Sequence, residues 1–175
     1  MTLLRRRPHG RDAVSLPRRR PHEDGTSGRR ILFPFIGSTI SHATLDATLR
    51  LARAQDAVLA PAYLATIPHH LSLNSPAPLS ESEAAVPLLE LIEQRATQKG
   101  VRVDSRIERG RTHRHALTAL LENEGYDTLA VPAKTSTTDG FDPTDIAWLL
   151  ENAPGEVLVL RPEPATAPRR SATAT

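Results

Sequence analysis

Short apolar runs alternate with helix-like segments along most of this chain, and few folds can absorb that alternation. The runs occupy residues 31–36 (ILFPFI), 56–65 (DAVLAPAYLA), 101–108 (VRVDSRIE), 127–133 (DTLAVPA) and 156–160 (EVLVL). Each is of strand length, and those apolar on both sides suit strands covered on two faces. Strands separated by helices of this length fold as one parallel sheet with helices on both faces. The third run differs. Val101, Val103 and Ile107 alternate with Arg102, Asp104, Arg106 and Glu108, and a strand with one charged face belongs at a sheet edge.

The intervening segments carry helix punctuation. In residues 41–55, Leu45, Thr48, Leu49 and Ala52 share one face. The segment from Ser80 to Gly100 reads as a helix opened by a capping box, Ser80 with Glu83, and stopped at Lys99-Gly100. Pro87 inside it predicts a kink or a later start. Thr112 caps a third helix that turns Leu117, Leu120 and Leu121 inward and closes at Gly125. Asp142-Pro143 is a cap followed by a first-turn proline and opens the fourth.

Charge divides the chain. The net charge of +2 combines +6 on residues 1–30, −6 on residues 31–165 and +2 on the last ten. The body is acidic and its ends are basic. Residues 1–29 and 164–175 have almost nothing to bury and are expected to be disordered tails flanking one domain, residues 30–163. The arginine triplets at 5–7 and 18–20 are read as a solubilising tail, even one translated from too early a start codon, or as an anion binder for nucleic acid or an acidic surface. No aromatic residue is interleaved with them, so base stacking is not indicated.

No cysteine is present, which excludes disulfides and thiolate chemistry and is compatible with the cytoplasm. No apolar run approaches the ~20 residues of a membrane span. The histidine pairs His69-His70 and His113/His115 do not supply the three or four converging ligands of a zinc site. No nucleophile elbow, P-loop or His-Glu-x-x-His is found. The expectation is therefore no catalytic residue, no metal and no enzyme.

ILFPFIGS at residues 31–38, EGYDTLAVPA at 124–133 and WLLENAPGEVLVLRPE at 148–163, with Gly110 after the third strand, resemble the universal stress protein family. The resemblance covers roughly residues 30–162. It implies a doubly wound open sheet of strand order 3-2-1-4-5, in accord with the edge placement of the third run, and a homodimer joined through Glu156–Leu160. It also implies a choice, because some members of the family bind ATP and others bind no nucleotide.

Binders carry an acid at the end of the first strand, then Gly-x-x-Gly, nine residues and Gly-Ser or Gly-Thr after the fourth. Here Ile36 holds the place of the acid, Ala133 and Ser136 those of the loop glycines, and Pro143-Thr144 that of Gly-Ser, across a loop three residues shorter. Pro143 lacks an N–H, Asp142 is placed to cap the helix itself, and Asp139 and Asp145 add negative charge where phosphates would bind. These residues argue against ATP as a cofactor and for a non-enzymatic regulator acting through an unidentified protein partner. The alternative is an ATP or AMP switch with an altered pocket built from Pro34, Gly37, Ser38, Lys134, Ser136 and Thr144. On the first reading the loop around Lys134 is solvated and mobile.

Overall fold

The computed structural model describes residues 28–74 and 78–161. The expected tails therefore lie, apart from a few residues, outside the described part. Five strands and four helices alternate in the order β1 (Arg30–Phe35), α1 (His42–Ala54), β2 (Val58–Thr66), α2 (Leu79–Lys99), β3 (Arg106–Gly110), α3 (His113–Asn123), β4 (Thr128–Pro132), α4 (Pro143–Asn152), β5 (Glu156–Leu160). All neighbouring strands are parallel and the sheet order is β3-β2-β1-β4-β5. The doubly wound sheet and its strand order are as expected.

Two apolar clusters hold the layers together. Leu45, Leu49 and Ala52 of α1 and Ala85, Ile92 and Ala96 of α2 pack on Ile31, Phe33, Phe35, Leu59 and Tyr63. On the other face, Ala116, Leu117 and Leu120 of α3 and Leu149 of α4 cover Leu32, Ala62, Leu64, Leu129 and Val131. Three caps follow their local sequence. Ser41, Thr112 and Asp142 each accept the N–H three residues on, from Thr44, His115 and Asp145.

Two expectations are corrected. Ser80 is not a cap: α2 already begins at Leu79, its N-cap is Pro78, and no side chain caps it. Nor does Pro87 delay the start, because the helix runs through it. Pro87 and Glu83 are both exposed, so water can meet the carbonyl that the proline leaves without a donor.

The third run also divides differently. Only Arg106–Gly110 forms a continuous strand, although Val103 bridges Leu59 and Arg106 pairs with Ala62 in the same register. The cause lies in β2. Leu59 donates to Arg102 O and accepts from Asp104 N, so the next donor toward β3 would be residue 61. That residue is Pro61, and the ladder is interrupted there.

Prolines shape the middle of the sheet in the same way. The ladder between β1 and β4 contains the pairs Ile31–Thr128 and Leu32–Leu129 and then stops, although both strands continue. In a parallel ladder of this register, the next two bonds would be donated by residues 34 and 132. Both are prolines. The sheet is thus unzipped at the carboxyl end of its two central strands, where the chain order reverses and open α/β sheets place their ligands.

Candidate functional site

The crevice above Pro34 and Pro132 is filled by the chain itself. Pro132 O, released from the sheet, accepts the N–H of Phe141 at 2.9 Å, and Phe141 O accepts from Lys134 N at 2.9 Å. Phe141 is buried among the residues under α3 and α4. Gly140 is required here, since a Cβ on it would stand 2.7 Å from Pro132 O and 2.8 Å from Lys134 N. Within the loop, Thr135 N donates to Thr138 O, and Thr135 Oγ1 accepts from the N–H groups of Thr137 and Thr138. The segment expected to be a solvated, mobile loop is internally hydrogen-bonded and anchored by a buried aromatic ring.

Asp139 ties this loop to the turn between β1 and α1. One carboxylate oxygen, Oδ2, accepts from Ser38 N at 2.8 Å, Thr39 N at 3.0 Å and Thr39 Oγ1 at 2.9 Å. Asp139 N donates back to Thr39 Oγ1 at 2.9 Å. Gly37 permits the approach: its φ is 75°, and a Cβ there would lie 2.4 Å from the carboxylate. Partial burial alone would push the pKa of Asp139 up, but the bonds from Ser38 and Thr39 and the nearby Lys134 charge outweigh it, and the carboxyl is held below its ordinary value.

Beside this plug lies a second set of polar contacts. Phe35 meets Tyr63 edge to face at 5.5 Å. Tyr63 donates its hydroxyl to Glu81 at 2.7 Å, and Thr66 Oγ1 donates to the other oxygen of Glu81 at 2.8 Å. Glu81, in the first turn of α2, thereby fastens that helix to the end of β2. Burial first, then the Glu81 bond and charge and the Asp139 charge, push the Tyr63 hydroxyl well above its ordinary range. It stays neutral and keeps the proton that it donates to Glu81.

The residues proposed from sequence are brought together only in part. Pro34, Gly37 and Ser38 sit at the crevice, with Lys134 at its rim and exposed. Ser136 is exposed, and among the described residues it makes no hydrogen bond to the β1–α1 turn. Thr144 lies in the first turn of α4, where Asp142 already accepts Asp145 N at 2.9 Å. Ile36 packs, half-buried, on the cluster under α3 and α4. Of the two acids expected to add negative charge where phosphates would bind, Asp139 bridges two loops and Asp145 pairs with Arg114 at 2.6 Å. Tyr63, Thr66 and Glu81 were not singled out at all. Their types are ordinary in strands and first helical turns, so no local signal marked them.

Among the described residues the histidines do not converge. His69 and His70 are exposed, and His115 Nδ1 accepts from Arg111 N at 3.3 Å. Among the described residues no group of three or more His, Asp or Glu comes together that could hold a metal ion. No helix among them is long and apolar enough to cross a membrane.

Comparison with known proteins agrees with this architecture. A universal stress protein from Burkholderia pseudomallei superposes with a TM-score of 0.58 at 21% identity, covering 78% of this chain and 98% of that one. A universal stress protein crystallised in complex with cAMP gives 0.58 at 19% identity, covering 75% and 96%. A family protein from Arabidopsis thaliana with AMP bound gives 0.55 at 14%, covering 81% and 97%. No curated protein matches the chain. The sequence model of the family matches residues 28–161, and the chain therefore belongs to the universal stress protein family.

Proposed function

We propose that this protein is a non-enzymatic regulator of the universal stress protein type, working in the cytoplasm as a homodimer through protein contacts and without ATP. One observation carries the reading. The crevice at the carboxyl end of β1 and β4 is occupied by the chain's own loop, with the Asp139 carboxylate lying on the Ser38 and Thr39 N–H groups. An anion already in place repels a phosphate and uses donors that it would need.

The AMP- and cAMP-bound relatives keep a second reading in view, a nucleotide switch using Lys134 at the rim of an altered pocket. A thermal melt separates the two. No shift of the midpoint at millimolar ATP or AMP is expected. A saturable rise abolished by Lys134→Ala would establish the switch instead.

The dimer is proposed through β5. This edge strand exposes Leu158 and Val159, each at 38%, beside Leu150 of α4 at 60%. An unpaired apolar edge is a template for another strand. Light scattering is expected to give a dimer for the wild type and a monomer for Leu158→Lys/Val159→Lys. A wild type that is monomeric at micromolar concentration would remove this part of the reading.

A further inference from the structure

We propose that the turn Gly37–Thr39 is an oxyanion receptor whose resident ligand is the Asp139 carboxylate, and that displacing this carboxylate opens the receptor to a free oxyanion such as phosphate. The proposal rests on the reading that the chain closes its own crevice, and adds what the closed site would hold.

The geometry of the turn points to an anion. Two successive backbone N–H groups and one hydroxyl converge on a single oxygen at 2.8–3.0 Å. Such a concave run of donors is an anion-binding nest. Gly37, at φ 75°, aims these groups outward and leaves the space a larger anion would enter. Two features outside the nest reinforce it. Lys134, on the same loop as Asp139, brings positive charge near the carboxylate, and α1 begins three residues after Thr39 with its positive end nearby. The occupant is recruited from 100 residues away along the chain, so the turn's own sequence does not explain its presence.

A tethered carboxylate competes at high effective concentration, so millimolar phosphate is not expected to displace it in the wild type. The loop that carries it has a second anchor, because Phe141 and its bond to Pro132 hold the loop without Asp139. Removing the carboxylate alone should therefore empty the nest while the domain stays folded.

The test uses Asp139→Ser in the full chain, titrated with inorganic phosphate and followed by amide resonances. The expected result is saturable shifts at Ser38 and Thr39 with a dissociation constant on the order of 1–10 mM, at least tenfold tighter than in the wild type. Asp139→Asn, which keeps an acceptor oxygen for the nest, is expected to bind phosphate more weakly than Asp139→Ser. A folded Asp139→Ser with no saturable change at these two amides would overturn the proposal, as would equal shifts in the wild type. If Asp139→Ser does not fold, Asp139→Asn decides: it must bind more tightly than the wild type or the proposal fails. Wild-type ATP binding would refute the closed-crevice reading, whereas failure of the phosphate titration would refute only the receptor.

Discussion

Phe141→Ala is expected to destabilise the protein by about 3–5 kcal/mol. For a domain of this size that lowers the melting midpoint by roughly 10–20 °C. Phe141 is 2% exposed and packs among Leu32, Leu129, Val131 and Leu149, so truncation removes buried apolar area and leaves a cavity. It also frees the residue whose N–H satisfies Pro132 O, and the plug should loosen with the core. Phe141→Leu, keeping most of the volume, should cost about 1–1.5 kcal/mol. Melts at fixed protein concentration check both. A loss below about 1 kcal/mol for the alanine variant would show that the ring is not a core residue and that the loop is held by other contacts.

The second large effect is expected at Glu124. This residue sits between Arg30 and Arg106, accepting from Arg30 at 3.0 Å and in a close contact from Arg106. Asp104 completes the set, at 2.9 Å from Arg30 and 2.7 Å from Arg106. Arg30 also stacks 5.3 Å from the Tyr126 ring centre, and Tyr126 donates its hydroxyl to Glu124 at 2.8 Å. Both guanidiniums and Glu124 are only about a quarter exposed, at 24–26%. Glu124→Ala would leave two partly buried cations sharing one exposed acid. A fully buried pair broken this way costs about 3–5 kcal/mol; with solvent screening here, about 2–3 kcal/mol is expected. Arg29→Ala, whose partner Glu156 is 71% exposed, should change stability by less than about 0.5 kcal/mol. Denaturant midpoints compare the two, and equal effects would mean that the Arg30–Glu124 network is no more than a surface pair.

These cases show which parts of the molecule were legible in the sequence. The Thr112 cap, the Asp142-Pro143 helix start and the whole of β5 depend on residues within a few positions of one another, and local pattern displays them. The choice of strand order came from the family resemblance, supported by the charged alternation of residues 101–108. The start of α2 was misread because Ser80 and Glu83 form a valid capping pattern, yet the helix had already begun after Pro78. The plug was not legible. Asp139 and Ser38 are 101 residues apart, and nothing near either residue names the other. Glu81 with Tyr63 and Glu124 with Arg30 are hidden for the same reason. Individual prolines were visible, but the opposition of Pro34 and Pro132 appears only once β1 and β4 are in register.

That opposition has a mechanical consequence. Two residue pairs join β1 to β4, against six between β1 and β2 and five between β4 and β5. The thinnest seam of the sheet therefore runs through its centre instead of along its rims. Across that seam β1 and β2 are held to β4 more by the apolar cluster under α3 and α4 than by ladder bonds. The Asp139 bridge then acts as a clasp across the open end of that seam.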